Sequence, residues 1–379
     1  MPFGDGRQNS VGTYEGRFRF PALQHHLVER QVMAEILGIG ATHYPPGLVP
    51  EEHKPWPLAR MLHSDRRIPE RMRDPVNWPE PMRVEWGDDE GITAHKAHKA
   101  RVFTAFRKIR EEIDAFDPDF IVMWGDDQYE NFKEDIIPPF CVLAYEQFNF
   151  TPYARLRGRP NIWGEPVDKT FNHPGHHKAG RYLTKGLLEE GIDMSYAYKA
   201  LHEDGLGHAF ANTLLYLDLD RKGFNTPVVP VAVNCYGSSV IRYRGGSTEY
   251  SDEPDPPSPS PRRCFEMGQA TARVLKKSPW RVVLMASSSW SHAFLTEKNH
   301  WIYPDLESDR VMLEHLRTGN YGAWRDTPLA QMEAAGQHEV LNWTCLAGAM
   351  AELNYKVDIL DWVETWTFNS PKCLAVFKS

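Results

Sequence analysis

Asp119-Phe-Ile-Val-Met-Trp-Gly-Asp-Asp127 is an apolar run of strand length that stops on a glycine and two acids. Ahead of it, from Ala94 to Phe116, apolar residues recur at Val102, Phe103, Phe106, Ile109, Ile113 and Phe116. Their spacings are mostly three and four, which predicts an amphipathic helix. A helix that feeds a buried strand is the repeating unit of an α/β fold. The alternation continues in both directions. Met33 to Gly40 reads as a buried strand leading into Gly38-Ile-Gly-Ala-Thr-His43, and Phe140 to Tyr145 as a short strand. Lys178 to Glu190 is a helix stopped at Gly191, Ser195 to Tyr198 a strand and His208 to Leu217 a helix. Pro227-Val-Val-Pro-Val-Ala-Val-Asn-Cys-Tyr236 is a β-branched buried strand, and Arg263 to Leu275 is a helix before the strand Trp280-Arg-Val-Val-Leu-Met-Ala286. Helices at 308–317, 327–335 and 339–353, then strands at 356–367 and 374–377, complete the pattern. The expectation is one large α/β domain over residues 33–379, a mixed central sheet flanked by helices. Residues 1–32 are expected to form an N-terminal arm, whose stretch Arg17-Phe-Arg-Phe-Pro would suit a subunit contact.

Two segments break the alternation. Residues 45–92 carry Pro45, Pro46, Pro50, Pro55, Pro57 and Pro69, a density that forbids long regular elements. They are expected to form an elaborate Pro-rich loop with short helices over the site. Ser251 to Arg263 is rich in Pro and Ser and reads as a polyproline-like surface loop. With 379 residues there is material for a large core. A formal charge of −8 argues against a nucleic-acid partner, which normally meets a basic stripe. Five cysteines, widely spaced and without a CxxC pair, favour neither a disulfide framework nor a zinc knuckle, and fit a reducing cytoplasm. No apolar run reaches the length needed to span a bilayer. No repeat of 20 to 50 residues is visible, which sets solenoids and propellers aside.

The residues that carry chemistry stand at strand ends and helix starts. Met285-Ala-Ser-Ser-Ser-Trp-Ser-His292 ends a buried strand on a small-residue turn, where α/β folds place reactive groups. His292 there is either a metal ligand or an acid-base group, since an imidazole titrates near neutral pH. A nucleophilic serine would need a GxSxG elbow, which the turn lacks. His43 follows Gly40-Ala-Thr in the same way, and Glu339 opens a helix through His338-Glu-Val-Leu-Asn-Trp343. A mononuclear iron(II) site for oxygen chemistry offers imidazoles and one carboxylate on one face. The bland readings are a turn-bonding histidine for His43 and a capping acid for Glu339. Asn172-His-Pro-Gly-His-His, with His173, His176 and His177, reads first as exposed loop histidines and second as ligands entering from a loop.

These residues, in order, resemble the class III extradiol ring-cleavage dioxygenases, of the type of the protocatechuate 4,5-dioxygenase β subunit. The resemblance rests on Gly40-Ala-Thr-His43, Gly125-Asp-Asp-Gln-Tyr-Glu-Asn-Phe132 with Pro138-Pro-Phe140, and Gly207-His208-Ala-Phe. It continues through Pro227 to Asn234, Ser291-His292 and Glu339-x-Leu-Asn-Trp343. It implies that His43 and Glu339 ligate iron(II), with Mn(II) or another divalent metal as alternatives, that His292 is the catalytic acid-base and that His208 lines the substrate pocket. It further implies a catecholic, or related hydroxylated or aminated, aromatic substrate opened with O2 beside its diol, and a homo-oligomer. Where the family carries its second ligand histidine, this chain has Gln128-Tyr129. Gln128 through its amide oxygen, Tyr129 through a phenolate, or Asp126, Asp127 or Glu130 are the candidates to fill that place. The altered turn keeps two other readings open, a divalent-metal hydrolase or lyase on the same scaffold and a metal-free binding protein. Arg155 and Arg157 are candidate partners for a substrate carboxylate.

Overall fold

Four neighbouring strands of the central sheet run parallel and end on the same edge, and this arrangement assembles the site. The computed structural model describes residues 34–50, 56–133, 135–202, 205–237 and 255–379. Ten strands occur among them: β1 (Ile36–Ala41), β2 (Phe120–Asp126), β3 (Phe140–Leu143), β4 (Gln147–Phe150), β5 (Phe171–Pro174), β6 (Ser195–Ala197), β7 (Val228–Val233), β8 (Val282–Ser287), β9 (Lys356–Val363) and β10 (Lys372–Lys378). Eight of them form one sheet in the order β6-β3-β7-β2-β8-β1-β10-β9. The run β7-β2-β8-β1 is parallel throughout. β3 lies antiparallel to β7, and β10 is antiparallel to both β1 and β9. The sheet is therefore mixed, as expected. The arm proposed for residues 1–32 lies outside the described residues, as do residues 238–254 of the segment before the helix Pro261–Lys276.

Both faces of the sheet are covered, which is why its central strands are apolar in nearly every position. In β2, Phe120, Val122 and Trp124 join one hydrophobic cluster while Ile121 and Met123 join another. β8 divides in the same way, with Val282, Leu284 and Ala286 on one face and Val283 and Met285 on the other. The first cluster is closed by the helices His177–Glu189, Pro261–Lys276 and Val340–Leu353, the second by Ile92–Phe116 and His208–Leu217. Successive side chains of a strand point to opposite faces, so a continuous apolar run is what a doubly covered sheet requires.

Residues 45–92 resolve into short pieces, as their prolines dictate: 3-10 turns at Pro45–Leu48, Glu70–Arg73 and Pro75–Asn77, and helices at Trp56–Ser64 and Glu80–Trp86. Leu58, Ile68, Met72, Trp78 and Met82 pack with Ile302 into a third, smaller cluster. Residues 147–150 and 171–174 hold a two-stranded antiparallel ladder of β4 and β5 that the sequence reading did not anticipate. Only Phe148 and Phe150 of β4 are buried, an alternation too short to stand out from a polar, Pro-containing stretch. Among the described residues no helix is long and apolar enough to cross a membrane.

The helices Pro261–Lys276 and Val340–Leu353 approach backbone to backbone because two glycines face each other's chain. A Cβ on Gly268 would stand 1.8 Å from the Cys345 carbonyl oxygen, and one on Gly348 2.1 Å from that of Phe265. The second helix carries Glu339 at its start, so this packing bears on the site. Gly268→Ala should destabilise the protein by about 3 kcal/mol or more, because the atom it meets is backbone and cannot rotate away. Equilibrium urea unfolding measures this, and a variant as stable as wild type would show that the two helices separate freely.

Candidate functional site

β1, β2, β7 and β8 deliver their carboxyl ends to one edge of the sheet. There, α/β folds place ligand groups in the crevice beyond the strands. Two residues past β1 stands His43, two past β2 Gln128, three past β7 Tyr236 and five past β8 His292. Asp126 is the last residue of β2 itself. Glu339 enters from the opposite direction as the residue before the helix Val340–Leu353.

Each imidazole is held by Nδ1, which leaves Nε2 facing the centre. His43 Nδ1 lies 3.0 Å from the Ser287 carbonyl oxygen and His292 Nδ1 2.8 Å from that of Trp290. A carbonyl oxygen only accepts, so both rings carry their proton on Nδ1 and present a lone pair at Nε2. His43 Nε2 is 3.6 Å from Glu339 Oε2 and 3.8 Å from Asp126 Oδ1. His292 Nε2 is 3.4 Å from the other oxygen of Glu339. His208 opens its helix with Nδ1 3.0 Å from Glu130 Oε2, which also accepts the His208 backbone N–H. Its ring meets His43 edge-on at 4.9 Å. One nitrogen of each of His43 and His208 and one oxygen of Asp126 lie within 4.8 Å of one another, the dimensions of a metal-holding group.

The carboxylates are the strongest signal. Asp126 is fully buried and Glu339 nearly so, and Asp126 Oδ1 and Glu339 Oε2 have no hydrogen-bond partner among the described residues. Their other oxygens are bonded: Gln128 Nε2 is 3.1 Å from Asp126 Oδ2 and 3.2 Å from Glu339 Oε1, and Tyr236 OH donates to Glu339 Oε1. Two orphaned acceptors on either side of an imidazole lone pair form a donor set with nothing to donate to. Burial raises both acids, Asp126 to about 6 and Glu339 well above the usual carboxylate range, and the Asp126 charge pushes Glu339 further up. Burial lowers His43 well below an ordinary histidine, with His208 adding to the effect, and brings His292 down to about 3 with help from Lys372. For His208, burial works against protonation, yet Glu130 and Asp126 outweigh it and its pKa is raised. A divalent cation would remove the cost of burying the two carboxylates together, and the neutral imidazole of His43 is already in ligating form. The residues fit a metal.

Of the sequence candidates, His43, Gln128, His208, His292 and Glu339 meet here. Tyr129, at φ 62°, lies in the hydrophobic cluster that also contains Trp124 and Tyr236. Asp127 faces away and accepts the amides of Glu130, Asn131 and Phe132. Arg155 pairs with Glu130, behind His208, and Arg157 is exposed. The histidines of Asn172–His177 are not exposed, and each is bonded to a backbone group. His173 is buried with Nε2 2.9 Å from the Thr226 carbonyl, the His176 ring accepts the Ala179 amide as a helix cap, and His177 Nδ1 is 2.7 Å from the Ala144 carbonyl. Tyr236 was missed as a site residue, although its place just past a buried strand matches that of His43.

Residues 255–370 match the family described as the catalytic LigB subunit of aromatic ring-opening dioxygenase. Curated relatives include a 2,3-dihydroxyphenylpropionate/2,3-dihydroxicinnamic acid 1,2-dioxygenase of Photorhabdus laumondii, 24% identical over 57% of this chain and 56% of the relative. Proteins of the same description in Pseudomonas putida and Paraburkholderia xenovorans are 28% and 27% identical. The former alignment covers 49% of this chain and 47% of the relative, the latter 67% and 84%. The chain thus spans about half the length of the first two of these relatives. A solved structure of an uncharacterized Escherichia coli K12 protein aligns at TM-score 0.42 and 14% identity, over 73% of this chain and 92% of that one.

The turn that carries His292 is fixed by an acid far away in sequence. Asp309 accepts the Ser291 amide at 3.2 Å, the Ser291 hydroxyl, and the Gln337 side-chain amide at 2.8 Å. Burial pushes Asp309 up to about 7. The folded protein therefore keeps a proton that the unfolded chain releases above about pH 4. Between those values the folded state binds more protons, so stability falls as pH rises, by up to about 1.4 kcal/mol per pH unit. Asp309→Asn should remove this slope: its stability relative to wild type should improve from pH 4.5 to 7.5 in urea titrations. A constant difference across that range would show that Asp309 is already ionised.

Proposed function

We propose, from the match of residues 255–370 to the LigB family and the geometry of the site, that the protein opens the ring of a catecholic aromatic substrate with O2. The observation that carries the reading is the pair of orphaned, buried carboxylate oxygens of Asp126 and Glu339 flanking His43 Nε2. His43, Glu339 and Asp126 would hold a divalent metal, iron(II) in this reading, with Asp126 filling the place of the family's second histidine. Gln128 is then a bridge whose amide donates to both carboxylates. His208 lies close enough to His43 and Asp126 to be a fourth donor.

Bound there, the metal supplies a template for the diol and a path for electrons from ring to dioxygen. The chain's own part is to bind, orient and move protons. His292, neutral with its lone pair on Nε2 and its Nδ1 proton committed to the Trp290 carbonyl, is poised to take a phenolic proton at Nε2 and to return it as the ring opens. Tyr236 holds Glu339 by its hydroxyl, and His208 is fixed by Glu130 and presents its second nitrogen to the same space. The relatives are named for 2,3-dihydroxyphenylpropionate, so a catechol bearing a propionate is the first substrate to try. A homo-oligomer in the cytoplasm fits this activity.

Loaded anoxically, wild type should retain close to stoichiometric iron and take up O2 with such a catechol, and a chelator should abolish the uptake. His43→Ala, Glu339→Gln and Asp126→Asn should each weaken metal retention by on the order of tenfold or more. Gln128→Ala should weaken it less. His292→Ala should keep its iron and lose on the order of 10²–10⁴-fold in turnover. Metal loss in His208→Ala would make that residue a ligand. Folded wild type that takes up no iron would sink the dioxygenase reading.

A further inference from the structure

Beside the site lies a second polar cluster that the chemistry above does not use. Lys372, the first residue of β10, is fully buried. Its ammonium donates to the carbonyls of Phe368, at 3.0 Å, and Ser370, and sits 3.4 Å over the ring of Tyr44. No carboxylate among the described residues reaches it. The acid that acts on it from a distance, Glu85, is taken up by the hydroxyls of Thr365 and Thr367 and the amide of Trp366. An ammonium has three donors, and two are used. Burial without a close counter-charge holds Lys372 well below the range of an ordinary lysine, and an anion meeting its amine would restore the charged form.

Its neighbours are in the same condition. Tyr44 OH, His98 Nε2 and Ser370 Oγ are buried and have no hydrogen-bond partner among the described residues. The rings of Tyr44 and His98 are 6.1 Å apart, and His98 lies 5.3 Å from Phe368. All three groups can donate, and buried donors in native proteins are almost always paired, by protein, water or ligand. The cluster adjoins the candidate site on two sides. Tyr44 follows His43 directly, and the Asn369 carbonyl accepts the amide of Ala293, next to His292, at 2.7 Å. Lys372 lies beyond residues 255–370, so the family match does not include it.

We propose that Lys372, Tyr44 and His98 form a buried anion subsite that receives a carboxylate carried on the side chain of the aromatic substrate. The subsite rests on the catechol reading of the adjoining centre for its substrate, but not for its ability to bind a carboxylate. It selects acids: a catechol ending in a carboxylate fills both places, whereas an uncharged alkyl catechol leaves the ammonium and the donors unmet.

The test is anoxic titration calorimetry on wild type, Lys372→Met and Tyr44→Phe. Iron-loaded protein receives 3-(2,3-dihydroxyphenyl)propionate or 3-propylcatechol, and metal-free protein receives 3-phenylpropionate. Wild type should prefer the propionate over the propyl compound by on the order of 10–100-fold, the worth of a buried charge-assisted contact. Lys372→Met should bring that ratio close to one while leaving 3-propylcatechol unaffected, and Tyr44→Phe should lower it a few-fold. A ratio near one in wild type, or one that survives in Lys372→Met, overturns the subsite. A fall in melting temperature with the ratio intact assigns Lys372 to tying down residues 368–371 and likewise overturns it. Should Lys372→Met fail to fold, Tyr44→Phe, which keeps the lysine and its carbonyl contacts, decides by whether the ratio drops. If no catechol binds wild type, the dioxygenase reading fails separately. The subsite then stands or falls on whether 3-phenylpropionate binding depends on Lys372.

Discussion

The indole of Trp343 lies against Gly40, and the geometry of the site depends on that contact. Its ring occupies the place of the missing side chain, since a Cβ on Gly40 would come within 2.0 Å of it. Its Nε1 donates to the Ser288 carbonyl at 3.0 Å, the Ser288 hydroxyl donates to the Glu339 carbonyl at 2.8 Å, and the Ser288 amide donates to Ala41 at 3.1 Å. The end of β1, the turn after β8 and the start of the last helix are thereby joined through one indole and one serine. His43 lies two residues from one of these anchors and Glu339 four from another, so their separation is set by close-packed backbone. Sites held in this way keep the precision that ligation and proton transfer require.

Burial does the electrostatic work. Excluding water from Asp126 and Glu339 raises both acids, and excluding it from His43 and His292 keeps both rings neutral. These two effects make a set of lone pairs facing inward, which a cation satisfies and a proton satisfies less completely. The backbone carbonyls of Ser287 and Trp290 complete the design by accepting from Nδ1 and so choosing the tautomer. Ser287 is the last residue of β8 and Trp290 stands in the turn after it. The end of one strand and its turn therefore orient the candidate ligand that follows β1 and the candidate base His292.

The fold was legible because a sheet covered on both faces writes itself as apolar runs ended by glycine and acids, and the helices between carry their own period. His43, His292 and Glu339 were legible for a related reason, since small residues before a polar one mark a strand end or helix start. The remainder depends on partners distant in sequence. Nothing local shows that the Tyr236 hydroxyl meets Glu339, that Asp309 fixes Ser291, or that Asp126 rather than Asp127 turns inward. The histidines at 173, 176 and 177 misled for the converse reason. Their polarity suggested an exposed loop, but each satisfies a backbone group, which a sequence does not display.

Gln128, standing where the resembled family carries a ligand histidine, would have a consequence for charge. On the proposed donor set, Asp126 and Glu339 contribute two negative charges against the two positive charges of the metal, where two histidines and one glutamate would leave an excess of one. A catechol that loses a proton on binding then meets a neutral centre and gains less from it. Lys372 lies close enough to act on His292, although burial disfavours its charged form. On the proposed reading, an acidic side chain on the substrate would favour that charged form and recover there the attraction that the second carboxylate takes from the metal. The turn after β2 and the buried lysine of β10 would then be two parts of one electrostatic balance.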